Sequence, residues 1–261
     1  MSGVREPAVA GQFYPADARE LRQMLADFLA AARAAGGVPK AVIVPHAGYI
    51  YSGPVAASAY ALLAPARGVI TRVVLLGPAH RVGFSGLALS GADHFATPLG
   101  RVPVERAAAK QLSGLPQVQV LDAAHAHEHS LEVQLPFLQE VLGDFTIIPL
   151  VVGEAEPEEV GAVLERLWGG PETLIVVSSD LSHYHDYATA LKLDRETSDA
   201  IEQLRPRDIE YDSACGRNPV AGLLHVARKK GLTARTVDLR NSGDTAGARD
   251  RVVGYGAYVF D

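Results

Sequence analysis

One cysteine, Cys215, is all that 261 residues contain. An intramolecular disulfide is therefore impossible, and a zinc ribbon or other multi-cysteine centre is excluded. Long hydrophobic runs are missing too: no stretch approaches the ~18 apolar residues that a membrane-spanning helix needs. The opening segment, from Met1 to Pro15, lacks the apolar core of a signal peptide, so a cytoplasmic location is expected. Basic charge is scarce. With 24 Lys and Arg against 30 Asp and Glu, the formal net charge is −6. No run of about five like charges forms a tail, and neither nucleic acid nor a membrane is an expected partner. The phosphate-binding pattern G-x-x-x-x-G-K-[ST], a G-x-G-x-x-G after a strand and the hydrolase elbow G-x-S-x-G are all absent, which removes the usual routes to nucleotide binding and serine hydrolysis. There is no internal repeat, low-complexity segment or Pro/Gly/Ser linker, so residues 1–261 read as one domain.

What is present is ample core material, 48% hydrophobic against 21% charged. Asp17 with Glu20 has the capping-box spacing, and Leu21, Met24, Leu25, Phe28, Leu29 and Ala32 follow at helical intervals until Gly36 and Gly37 stop them. Ala41-Val42-Ile43-Val44, Val73-Val74-Leu75-Leu76 and Leu174-Ile175-Val176-Val177 are short continuous apolar runs, as expected of strands buried on both faces of a parallel sheet. A fourth strand is predicted from Phe145 to Val152. Helical patterns lie between them, at 55–63, 106–112, 131–142, 158–167, 188–204 and 220–230. Alternation of this kind predicts an α/β fold with a mainly parallel central sheet and helices on both faces. Residues 86–90 and 101–104 read as an added edge hairpin, and 252–260 as a terminal strand.

In open α/β sheets, ligands sit beyond the carboxyl ends of the strands. Three strand ends carry ligand-type side chains there: His46 in Pro45-His46-Ala47-Gly48-Tyr49, His80 in Gly77-Pro78-Ala79-His80, and Asp180 and His183 in Ser178-Ser179-Asp180-Leu181-Ser182-His183. A rigid Gly-Pro turn presents His80, which suits a metal ligand. The densest histidine cluster is His125-Ala126-His127-Glu128-His129-Ser130-Leu131-Glu132. Ser130 can be read there as a helix N-cap with His125 and His127 solvated, and His129 and Glu132 are the better site candidates. The spacing is neither that of H-E-x-x-H metalloproteases nor that of base deaminases. Cys215 precedes the helix expected near Val220 and neighbours Arg217. Both features favour a thiolate, for metal binding or for nucleophilic attack, although a lone cysteine is also ordinary core filler. A cysteine hydrolase using Cys215, His183 and Asp180 fits the residue types. The loop Asn241-Ser242-Gly243-Asp244-Thr245-Ala246-Gly247 could cradle an anion, or be a Gly-rich turn.

Phe13-Tyr14-Pro15, Pro45-His46-Ala47-Gly48-Tyr49, Gly77-Pro78-Ala79-His80, Glu128-His129-Ser130, the 178–183 segment and Cys215-Gly216-Arg217, in this order over nearly the whole chain, resemble the signatures of the Memo family, whose bacterial and archaeal members also carry the label AmmeMemoRadiSam system protein B. That family is similar in fold to the class III extradiol dioxygenases, which hold non-haem Fe(II) on two histidines and a glutamate. The resemblance implies that His46 and His80 are metal ligands, with Cys215 standing where the dioxygenases have their carboxylate. It makes His183, His129 and Asp180 the catalytic candidates, for proton transfer or for orienting ligands. Fe(II) is the implied ion, but a soft thiolate makes copper or zinc more competitive. A metal-dependent oxidoreductase is the leading expectation. A non-enzymatic scaffold that uses the cleft for a peptide, or for AMMECR-type and radical-SAM partner proteins, is the alternative; a homo-oligomer stays open.

Overall fold

The computed structural model describes residues 3–33 and 35–261. In chain order its elements are β1 (Val4–Arg5), α1 (Ala18–Ala31), β2 (Ala41–Val44), α2 (Tyr49–Tyr60), β3 (Arg72–Pro78), β4 (Leu87–Leu89), β5 (His94–Thr97), β6 (Gly100–Pro103), α3 (Ala107–Gln111), β7 (Val118–Val120), α4 (Asp122–Ala126), α5 (Leu135–Leu142), β8 (Thr146–Val152), α6 (Pro157–Leu167), β9 (Thr173–Ser178), β10 (His183–His185), α7 (Tyr187–Glu202), α8 (Arg217–Lys230), β11 (Ala234–Asn241) and β12 (Val252–Phe260). The main sheet runs β10-β12-β2-β9-β3-β8-β4-β7, with β11 also paired to β12. Its centre, β2-β9-β3-β8, is parallel, and β12 and β4 flank it antiparallel.

The four central strands are the continuous apolar runs of the sequence, and the structure explains why they lack alternation. Val42 and Val44 enter one buried cluster with Leu21, Leu25, Val55 and Phe137, while Ala41 and Ile43 enter another with Val160, Leu164, Leu223 and Leu224. Helices α1, α2 and α5 cover the first face, and α6 and α8 the second. This α/β architecture, with helices on both faces, agrees with the class III extradiol dioxygenase-like fold that the resemblance implies.

Asp17 caps α1, its carboxylate accepting from the amides of Arg19 and Glu20 at 2.9 and 3.0 Å. Helix α2 starts at Tyr49, ahead of the predicted Val55, and takes in Pro54. The carbonyl that Pro54 cannot bond belongs to Ile50, which is exposed to water. Gly53 lies where α1 crosses, because a Cβ there would stand 2.5 Å from the Phe28 ring. The predicted 131–142 helix divides into a 3-10 turn, Glu132–Gln134, followed by α5.

The edge hairpin exists with a different first strand. Gly100–Pro103 pairs with His94–Thr97, and Val4–Arg5 joins them to make a separate three-stranded sheet. Residues 87–89 instead enter the main sheet beside β8. Burial explains the exchange: Leu87, Ala88 and Leu89 are all buried, as a strand covered on both faces must be, whereas 94–97 alternates between half-buried and buried. Among the described residues, no helix is long and apolar enough to cross a membrane.

Candidate metal centre

Strands β2, β9 and β3 are parallel neighbours, so their carboxyl ends share one edge. His46, Asp180 and His80 each lie two residues past the last residue of their strand, Val44, Ser178 and Pro78. The imidazole rings of His46 and His80 meet at 5.2 Å between centroids, inclined by 72°. Cys215 reaches the same point from the turn before α8, its Sγ 3.3 Å from His46 Nε2. One ligand-type atom from each of His46, His80 and Cys215 lies within 4.8 Å of the others.

His46 is buried, and this burial, reinforced by the neighbouring imidazoles of His80 and His129, holds its pKa well below 6.5. It is neutral at physiological pH, as a metal ligand must be. Its Nδ1 lies 2.8 Å from Ser178 Oγ, and its amide donates to Asp180 Oδ1 at 2.7 Å. Asp180 is buried as well, which raises its carboxyl above the usual range; the amide of His46 acts in the opposite sense.

His80 is held by a residue whose role the sequence did not signal. Glu128 Oε2 accepts the His80 amide at 2.6 Å, and Oε1 lies 2.9 Å from His80 Nδ1 while accepting the amides of His129 and Ser130. Burial pushes the Glu128 carboxyl up, but the His80 ring and these amides outweigh it and bring it down to about 2. An ionised Glu128 accepts only, so His80 donates from Nδ1 and turns its Nε2 away from the carboxylate. The clue available in sequence was the cluster itself, in which Glu128 sits beside His129. The His129 ring stacks on His80 at 4.8 Å and packs on Phe13 at 4.8 Å. Its Nδ1 lies 3.5 Å from Glu128 Oε1, and burial lowers its pKa below 6.5 while Glu128 opposes this.

Around Cys215 the structure departs from the sequence reading. The thiol is pushed up, first by burial and then by the Asp180 carboxylate, even though the Asp180 and Gly216 amides oppose this. Arg217 does not offset it: its guanidinium lies over the Tyr211 ring and 3.9 Å from Glu154. Without a cation beside it, the sulfur is a thiol.

His183, on β10, lines the same cleft of about 1220 Å³ as His46, His80, His129, Asp180 and Cys215. The remaining candidates lie elsewhere. His125 is buried under Ala88, its Nε2 2.9 Å from that carbonyl, and edge-on to Phe95; His127 is exposed. Ser130 caps no helix, and its hydroxyl donates instead to the Pro78 carbonyl at 2.9 Å. Glu132, buried at 0% exposure, pairs with Arg5 and accepts from the amides of Ala8 and Val9 and from the Tyr14 hydroxyl. It anchors the N-terminal segment. In the 241–247 loop, the amides of Asn241, Gly243 and Gly247 bond within the loop, making it a turn rather than an anion cradle.

The donor set fits a metal ion. Two ligands at about 2.0–2.3 Å and a tetrahedral angle stand roughly 3.3–3.6 Å apart, and His46 Nε2 and Cys215 Sγ are at 3.3 Å. Fold and site thus define an α/β protein with a two-histidine, one-cysteine group at the carboxyl edge of its sheet. Residues 5–259 match the family model described as Memo-like protein. A MEMO1 family protein of Aquifex aeolicus is 37% identical over 98% of this chain and 99% of its own length, and one of Methanosarcina barkeri is 36% identical over 99% and 100%. The chain belongs to the Memo family. An uncharacterized protein from Escherichia coli K12 has the same fold at 13% identity, with a TM-score of 0.52 over 82% of this chain and 98% of that one.

Proposed function

We propose that the chain holds one redox-active metal ion, iron or copper, on His46 Nε2, His80 Nε2 and Cys215 Sγ, and that it acts as a metal-dependent oxidoreductase. The observation that carries this reading is the convergence of the three donor atoms within 4.8 Å. A bound redox metal supplies one-electron chemistry and Lewis acidity, and charge of that size also favours the Cys215 thiolate. Everything else is the work of the chain's own groups. Glu128 supports the His80 imidazole at Nδ1, and Asp180 holds the backbone of His46. His129, whose Nδ1 faces the Glu128 carboxylate and whose ring lines the cleft, is placed to take a proton from a ligand there or return one, and His183 serves the same end from the β10 side. Phe13 covers His129 and limits water there.

Protein purified without oxygen should contain about one iron or copper per chain by mass spectrometry, and His46→Ala and Cys215→Ser should each remove most of it. Full metal content in both variants would dismiss the ligand set. A second reading, a scaffold that binds a peptide or an AMMECR-type partner, draws on the size of the cleft. At about 1220 Å³ it exceeds the ~300–1,000 Å³ of most small-molecule sites. Calorimetric titration with an AMMECR-type protein separates the two: heat of binding without turnover supports the scaffold.

A further inference from the structure

Behind His46 runs a chain of buried polar side chains that the redox reading leaves without a task. The Tyr60 hydroxyl donates to Gln134 Oε1 at 2.8 Å, and Gln134 Nε2 donates to the Pro45 carbonyl at 2.9 Å and to Ser178 Oγ at 2.8 Å. The Ser178 hydroxyl in turn donates to the Ser130 carbonyl at 2.6 Å and lies 2.8 Å from His46 Nδ1. Gln134 and Ser178 are both 0% exposed.

Counting protons orients this chain. The Pro45 and Ser130 carbonyls can only accept, so the Gln134 amide must point its nitrogen toward Pro45 and Ser178, and the single Ser178 proton is used on Ser130. Toward His46, Ser178 Oγ therefore has nothing left to give. It must accept, and the proton of the neutral imidazole must sit on Nδ1. Tyr60 completes the set by donating to the amide oxygen, while the Pro45 carbonyl removes the flipped arrangement of Gln134.

We infer that Ser178 and Gln134, backed by Tyr60, are positioning residues that lock His46 as its Nδ1–H tautomer, holding Nε2 bare toward Cys215 before any metal arrives. The inference rests on the metal reading for its purpose, but not for its geometry. It assigns work to strand and helix residues outside the cleft, one of which, Gln134, lies 88 residues from His46. It also makes the two imidazoles alike: Glu128 fixes the tautomer of His80 by charge, and the Ser178 chain fixes that of His46 by proton count.

The test is nitrogen-15 NMR of histidine-labelled, metal-free protein, assigned with His46→Gln, together with chelator competition using Zn(II) as the probe metal. In the wild type, His46 should show a protonated Nδ1 and a bare Nε2. Ser178→Ala, which keeps the packing but removes the acceptor, should give a mixture of tautomers and weaken Zn(II) about 10–100-fold, the usual cost of losing such a support. Gln134→Leu should act in the same direction. Finding Nε2–H in the wild-type protein would overturn the lock without recourse to any variant. So would an unchanged tautomer and unchanged Zn(II) affinity in a folded Ser178→Ala. A locked tautomer in a protein that takes up no metal would leave the lock standing and remove the metal reading.

Discussion

Glu132 belongs to the scaffold beside the site rather than to the site itself, and removing it carries a cost that can be worked out. Its carboxylate is fully buried and pairs with Arg5, itself only 7% exposed. It also accepts from Ala8 N at 2.7 Å, Val9 N at 3.0 Å and Tyr14 Oη at 2.5 Å. Glu132→Ala leaves the buried Arg5 guanidinium without its counter-ion, with only the His125 and Glu128 carbonyls to accept from it, a change that costs about 3–5 kcal/mol in comparable buried pairs. At about 2–4 °C of melting temperature per kcal/mol for a chain of this size, the transition should fall by about 6–20 °C. Replacing both partners, Arg5→Met with Glu132→Leu, should recover only part of the loss. The stranded charge is gone, but Ala8, Val9 and Tyr14 still lack their acceptor. Thermal melts followed by circular dichroism, with urea midpoints as a second measure, read this directly. A fall of less than about 2 °C for Glu132→Ala would show that Glu132 does not anchor the N-terminal segment, since a buried cation that loses its counter-ion costs more than that.

Other outcomes follow from the same reasoning. In metal-free protein, Cys215 should react slowly with iodoacetamide near neutral pH and faster as the pH rises, because burial and Asp180 push the thiol up; rapid stoichiometric alkylation at pH 7 would instead favour the cysteine-nucleophile reading. His125 should make the fold acid-sensitive. Burial lowers its pKa from 6.5 to about 4, so over that window the unfolded chain binds more protons and stability falls with falling pH, by about 3 kcal/mol in all. Asp194, raised from 3.8 to about 6 by burial, acts in the opposite sense between those values. The His125 contribution should therefore be read as the difference between wild type and His125→Gln in urea midpoints at pH 7 and pH 4.5, and equal pH slopes for the two would count against it.

The parts of the fold legible in sequence were those where a single physical pressure acts on consecutive residues. Residues 41–44, 73–76 and 174–177 are apolar throughout because helices cover both faces of the sheet, and 252–260 forms β12 over the predicted span. The hairpin departs from the sequence pattern where two pressures compete: 94–97 shows the half-buried alternation but carries His94 at its start, while the more apolar 87–89 belongs to the interior. Strand-end logic drew attention to His46, His80 and Asp180. It could not weigh His125, His127, His129 and Glu132 against one another, because their fates depend on contacts such as Ala88 and Arg5, 37 and 127 residues away. Glu128 stayed hidden for the same reason, since its partner His80 is 48 residues distant.

Strand order explains why these particular side chains meet. β9 lies between β2 and β3, so the strands carrying His46 and His80 are about 9.6 Å apart at a spacing of ~4.8 Å each. Imidazoles leaving these two strand ends and leaning inward close a little under half of that distance, which brings the rings to 5.2 Å. The side chain from the middle strand, Asp180, accepts from the backbone of His46 and lies 4.0 Å from its Nε2. Cys215 supplies the third donor from the turn ahead of α8, its Sγ accepting from the Asp180 amide at 3.3 Å. Its position is fixed by Gly216, where a Cβ would stand 2.7 Å from the Ser178 carbonyl and 2.7 Å from Ser179 Cβ. Any side chain at 216 would push the sulfur off the two imidazoles, so the smallest residue in the loop sets the reach of the donor beside it.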